Sequence, residues 1–387
     1  MNMMDKESKV ETVRRGKMNV LAAIDSFKGS ASSVELNQAV LNGWMTNGKK
    51  SNQPIADGGE GTTEAIYHTL GGEWKKVQGM DLLFRQKESR YLVTMYNHKK
   101  IAIIESAEVV GIDLLSKPTD QTIRLASSFG LGELIKDAIK QQPDEIIIAL
   151  GGSGCSDGGL GLLQSLGATL VGVTEGNPLL SVKELDLHTL MPITTKLTIA
   201  SDVTSPYTGE LGAALLFGTQ KGGTPDTLAF LDQQAKSIVD QIKTSQSLDL
   251  DDLPGSGAAG GIGGALFLLG ATMQSGFQLV AELVGLEEQV KEADIIVTGE
   301  GRIDQQTIHG KVPYGVALLA KKHHKKIIGI CGSREKELGE LTRFLPSIFS
   351  IQFGPITLAE AMDAHETLEK VQLLSTALSH LFTNEFS

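Results

Sequence analysis

Six times along this 387-residue chain an apolar run ends in a short polar loop rich in Gly, Asp or Ser. The loops are DSFKGS (25–30), DGGEGT (57–62), GGSGCSDGG (151–159), SDVTSP (201–206), TGEGRID (298–304) and CGS (331–333). Helical periodicity follows several of them. Strand, loop and helix recurring in that order predict an α/β protein with a mostly parallel sheet. In open sheets of that kind, ligands bind outside the carboxyl ends of the strands. The loops therefore have a reason to converge.

The apolar runs predict strands over 18–24, 53–56, 145–150, 197–200, 294–298, 326–331 and 347–352, with several more inside the alternating stretch 73–105. Helices are expected over 33–44, 63–70, 132–141, 160–166, 226–243, 257–275, 278–290, 313–323 and 359–382. Ser32 or Ser33 is the expected cap of the first helix. Residues 249–254 read as a linker. The dense β pattern of 73–105 suggests a second, less regular domain.

The formal net charge is −11, with no basic stripe to follow a phosphate backbone, so no nucleic-acid partner is expected. The two cysteines, Cys155 and Cys331, stand far apart and make neither a disulfide framework nor a thiolate zinc site. The first 17 residues are polar and charged, without the apolar core of a secretory signal, and read as a loose extension. Apolar stretches such as Ala265 to Leu269 are too short to span a bilayer. These features fit a cytoplasmic protein with no membrane partner; a homo-oligomer is compatible with them.

The richest loop is TGEGRIDQQTIHGK (298–311), read as a turn between strand and helix. Its acids Glu300 and Asp304 suit a cation. Arg302 suits a carboxylate or phosphate, and Lys311 precedes Pro313, where a helix can begin beside its anion-attracting end. A three-way salt bridge at a domain seam is the plainer explanation. In DSFKGS, Ser26 and Lys28 could hold an anion, or could simply surround a capped helix start. Asp57 and Glu60 lie on a turn with Gly58 and Gly59; magnesium favours one or two carboxylates plus substrate phosphates. Gly152 and Ser153, with Ser156 and Asp157, lie in a glycine-rich loop that lacks the Gly-Lys-Ser/Thr of a P-loop. GSGAAG (255–260) matches a dinucleotide fingerprint, but Asp251 to Pro254 is not a strand, and a packing role fits better. The histidines show no ligand spacing.

Taken together, DSFKGS, PIADGGEGT (54–62), FGLGELI (129–135), GGSGCSDGG, FGTQKG (217–222), GSGAAGG (255–261) and TGEGRIDQQTIHGKVP (298–313) resemble the bacterial glycerate kinases. The likeness runs from about residue 18 to near the C-terminus. Two family asparagines are replaced, by Ser156 and Ser205. The resemblance implies ATP-dependent phosphorylation of D-glycerate with Mg2+, 2-phosphoglycerate being favoured over 3-phosphoglycerate. It also implies two α/β domains. One is a Rossmann-like three-layer domain built from both chain ends (18–72 plus 290–387), and the other is inserted (73–289).

On that reading Lys28, Arg302, Asp157 and Asp202 are the catalytic candidates, with Asp202 or Asp157 accepting the hydroxyl proton. Ser26, Gly58, Gly59, Gly152, Ser153, Gly299 and Lys311 would bind substrate or phosphate. Asp57, Glu60, Glu300 and Asp304 would serve the metal. Two rivals stand beside it. A non-catalytic relative rests on Ser156 and Ser205, and a nicotinamide-dependent oxidoreductase rests on GSGAAG.

Overall fold

The computed structural model describes residues 17–382. The expected loose extension, apart from Lys17, lies outside the described residues. The chain opens with β1 (Val20–Ile24) and β2 (Lys50–Asn52). It continues through β3 (Glu73–Met80), β4 (Gln86–Tyr96), β5 (Lys99–Glu105) and β6 (Glu145–Ala149). Then come a small pair, β7 (Thr169–Val171) and β8 (Glu184–Asp186), followed by β9 (Lys196–Ala200) and β10 (Thr272–Gln274). The chain closes with β11 (Ile295–Ile303), β12 (Lys326–Arg334) and β13 (Ile348–Ser350).

These strands form two main sheets. The first, in the order β13-β12-β11-β1-β2, is wholly parallel. The second, in the order β10-β9-β6-β5-β4-β3, is parallel from β10 to β5 and antiparallel at β4 and β3. In the first sheet the chain moves outward one way from β1 to β2 and the other way from β11 to β13. The neighbours β1 and β11 are therefore the switch point at which such sheets open a crevice.

Burial follows the strand patterns. All five residues of β1 are buried, as a strand covered on both faces requires. One apolar core lies in the second sheet and one in the first. A third is common to both: Leu21 and Ala23 of β1, Ile103 of β5, Ile147 of β6 and Ala200 of β9 pack with Ile66, Phe277, Val280 and Val316. Helices Thr62–Leu70, Gly276–Leu283 and Val312–Lys322 supply those last four residues.

The α/β class is as expected, but several boundaries move. The strand expected at 53–56 is instead Lys50–Asn52. The Gln53 N–H still reaches the Ala22 carbonyl at 3.0 Å, and Pro54, having no N–H, ends the ladder there. The supposed linker at 249–254 contains a short 3-10 turn whose Leu250 is fully buried. The helix expected at 257–275 stops at Leu268 and is followed by β10. The one expected at 278–290 is split by Gly285, at φ +64°. The largest change is at TGEGRID: β11 runs through Ile303, with Gly299 paired to Ile24 and Ile330 and Glu300 to Cys331. Only 304–311 is the connection to the next helix.

Candidate active site

The end of β1 is fixed by side chains from the helix Ser33–Gly43. Asn37 Oδ1 accepts the Ile24 N–H at 3.0 Å, and Ser33 Oγ donates to the Ile24 carbonyl at 2.5 Å. Ser32 caps that helix in a capping box with Glu35. The loop 25–32 is thus held beside β11. Asp25, whose N–H donates to the Gly299 carbonyl at 2.9 Å, is 5% exposed. Burial, then the nearby Asp57 carboxylate, push its carboxyl well above the usual range, against the pull of Lys28.

A cavity of about 600 Å³ opens where the loops after β1, β2, β6, β9 and β11 meet. Lys28, Asp57, Gly58, Gly59, Gly151, Asp202, Gly310 and Lys311 are on its wall, and Leu211, Leu216 and Phe217 close one side. Its size falls within the range of small-molecule sites. Lys28 also lines a second cavity of about 410 Å³ with Ser26, Glu60, Thr63, Arg90 and Glu105. The Lys28 ammonium makes no ion pair among the described residues.

Glycines let these loops touch. A Cβ on Gly151 would run into the Cα of Gly59, and one on Gly310 would lie 2.6 Å from Asp202 Cγ. Gly310 also has φ +89°, which a side chain would strain. Asp57 Oδ1 accepts the Gly59 N–H at 3.1 Å and braces that turn. Asp202, partly buried, accepts the Phe277 N–H at 3.4 Å at the start of Gly276–Leu283, and burial raises its carboxyl.

On the β11 side, Glu300 is 6% exposed. It accepts the Thr307 hydroxyl at 2.5 Å and faces Lys311 Nζ at 3.3 Å. Burial raises its carboxyl, and Lys311 opposes that rise. Asp304 is the cap of a short 3-10 turn, accepting the Gln306 N–H at 2.9 Å, with Lys311 Nζ 4.0 Å away.

The structure separates the remaining candidates from this cavity. Arg302 lies at the far end of β11; its side chain is two-thirds exposed and pairs with Glu335 at 3.1 Å and Asp304 at 3.6 Å. Asp157 is completely buried. Its carboxylate accepts from Ser127 Oγ, Ser128 N and Oγ, Gly159 N and Gly161 N, and it lines neither cavity. Ser153 accepts a hydrogen bond from the fully buried Lys221 at 3.0 Å, and Lys221 also donates to the Cys155 carbonyl at 2.6 Å. Gly152 accepts the Ile112 N–H, and Gly299 lies inside the sheet. It is Gly151 that reaches the cavity. Glu60 is exposed on the second cavity. The four acids predicted for the metal do not form one cluster. Among the described residues only His365, Glu366 and Glu369, exposed on another helix, bring three such ligand atoms within 4.8 Å.

Two acids outside the predicted set belong to the site region. Asp25 was in view inside DSFKGS. Glu105 ends the apolar run of β5 and accepts the Thr63 N–H at 2.6 Å and hydroxyl at 2.7 Å; burial raises its carboxyl. GSGAAGG (255–261) serves packing: Ala259, Gly260 and Gly261 are left-handed, and side chains at the last two glycines would enter the 155–158 backbone.

The sequence model of the glycerate kinase family matches residues 20–381. The chain belongs to the glycerate kinase family. It is an enzyme of that type. It is 36% identical over 357 residues to the glycerate 2-kinase of Escherichia coli (strain K12), covering 89% of this chain and 93% of that one. It is 34% identical over 368 residues to a glycerate kinase of Bacillus subtilis (strain 168), covering 91% and 95%. The fold matches a crystal structure from Salmonella typhimurium LT2 assigned as glycerate kinase 2, with a TM-score of 0.77 and 34% identity over 95% of this chain and 98% of that one. No helix among the described residues is long and apolar enough to cross a membrane.

Proposed function

We propose that this glycerate kinase family member transfers the terminal phosphoryl group of ATP to D-glycerate, giving 2-phosphoglycerate. The observation that supports this reading best is the 600 Å³ cavity at the strand ends, with Lys28 and Lys311 both on its wall. Phosphoryl transfer depends on in-line positioning and charge stabilisation more than on covalent chemistry. Lys28, without an ion pair among the described residues and shared by both cavities, is the residue we place against the transferring phosphoryl group. Lys311, at the start of Val312–Lys322, holds a neighbouring anionic group. Asp202 on the cavity wall is assigned to take the hydroxyl proton.

The donor set fits a hard divalent cation. Asp25, Asp57 and Glu300 offer only oxygen ligands, and Asp57 raises the carboxyls of both Asp25 and Glu300, a repulsion that a cation would relieve. Their oxygens do not all lie within 4.8 Å of one another, so these acids would hold magnesium only in part directly, with waters and phosphate oxygens completing its shell; Asp304 and Glu60 are left out of this assignment. The ion would supply charge neutralisation of the phosphate oxygens. The domain division 18–72 plus 290–387 and 73–289 remains our reading of the chain, supported by the way the strands divide between the two sheets. A cytoplasmic setting and a small-molecule substrate belong to the same reading.

The test is to incubate the protein with ATP, Mg2+ and D-glycerate and to identify the product. Enolase acts directly on 2-phosphoglycerate and needs a mutase first for the 3-isomer. Signal with enolase alone is the expected result. Signal only with added mutase would move the transfer to the other hydroxyl, and no ATP consumption would end the reading.

A further inference from the structure

Leu211, Leu216 and Phe217 line the larger cavity yet belong to none of the apolar cores. Leu211 is 65% exposed and Leu216 47% exposed. Leu215, between them in sequence, turns the other way and packs on the core of the second sheet. The short helix Ala213–Phe217 is anchored there through buried Ala213 and Ala214. Its remaining apolar side chains therefore face the cavity because the backbone is pinned, not because the segment is loose. Pro206 and Val203, from the loop after β9, extend the same wall.

The rest of this cavity is of opposite character. Lys28, Asp57, Asp202 and Lys311 are charged, and Gly58, Gly59, Gly151 and Gly310 expose backbone. A ligand that spans both ends would lay an apolar group on this wall and offer anionic groups to Lys28 and Lys311 at the other end, with Asp57 and Asp202 beside them. Exposed apolar side chains gathered on a cavity wall mark a binding surface.

We propose that the Leu211–Leu216–Phe217 wall is the subsite for the purine of a nucleoside triphosphate, with the polyphosphate running from it towards Lys28 and Lys311. This rests on the kinase reading above and adds to it the direction in which the nucleotide lies. Contact with an apolar wall discriminates poorly between bases, so ATP and GTP are expected to bind within about tenfold of one another.

The test uses the full chain with Leu211→Ser and Leu216→Ser combined, two exposed, neutral changes that leave every core untouched. A non-hydrolysable ATP analogue and inorganic tripolyphosphate are titrated by calorimetry in the presence of Mg2+. The expected result is a loss of about tenfold or more for the analogue, as removal of two apolar contacts predicts, with tripolyphosphate affinity unchanged within about twofold. In turnover the KM for ATP rises while that for D-glycerate stays. Equal loss for both ligands, no loss for either, or a selective rise in the glycerate KM overturns the assignment. So does a wild-type protein that binds the analogue no better than tripolyphosphate. The binding arm needs no turnover, so a protein that binds the analogue but consumes no ATP with glycerate refutes the kinase reading and leaves the subsite to be judged by binding alone.

Discussion

Gly59 and Gly151 meet backbone to backbone, with no room for a Cβ on Gly151. Gly59 follows β2 of the first sheet, and Gly151 follows β6 of the second. The cavity is closed at this point by two loops from different sheets, and both line it. Gly151→Ala must separate them. Overpacking of this kind costs about 1–3 kcal/mol. The expected outcome is a folded protein with turnover reduced about tenfold or more, measured by coupled assay beside urea unfolding. Wild-type turnover in Gly151→Ala would mean that the two loops need not touch for catalysis.

Lys28 and Arg302 separate cleanly. Lys28 has no ion-pair partner among the described residues and lines both cavities, whereas Arg302 pairs with Glu335 away from them. Lys28→Met is expected to lower kcat/KM by about 10²-fold or more, the scale for losing one charged stabiliser, with Tm nearly unchanged. Arg302→Met should stay within about threefold of wild type. The reverse ranking would displace the proposed site.

Asp157 tests scaffold against chemistry. Five donors converge on its carboxylate. Asp157→Ala leaves them unpaired and is expected to cost about 3 kcal/mol or more, read from denaturant unfolding. Asp157→Asn keeps one acceptor oxygen and should retain activity per folded molecule within about tenfold. Complete loss of turnover in a stable Asp157→Asn protein would restore it to the reaction.

Glu105 gives a pH dependence with a definite sign. Burial raises its folded-state carboxyl above the ordinary 4.5. The folded state then binds the proton more tightly than the unfolded chain, so this group lowers stability as pH rises from about that value through the raised one. Glu105→Gln removes this contribution. Thermal unfolding across that window should show a flatter profile in Glu105→Gln than in wild type. An identical slope in both proteins would show that Glu105 does not titrate there.

Much of the architecture is legible in local pattern. Period-2 and continuous apolar runs give the strands, the capping box at Ser32 gives a helix start, and strand–loop–helix order gives the α/β class. The motifs also bring Lys28, Asp57, Gly58, Gly59, Asp202 and Lys311 to one cavity. What local pattern could not give is the direction of a side chain once its segment joins a sheet. TGEGRID reads as a turn, yet Gly299 is extended strand between β1 and β12, where a Cβ would strike the Ile330 carbonyl. That extension carries Arg302 to the far end of β11.

The sequence by itself determined the strand-ending loops, their polar chemistry and the family, because these depend on residue type and order. Tertiary structure decided which of those residues share a cavity. Burial turned Asp157 inward as a hydrogen-bond hub and gave Lys221 to Ser153 and the Cys155 carbonyl. It left Leu211 and Leu216 facing the cavity, because the packing of Ala213, Ala214 and Leu215 had already fixed the backbone between them.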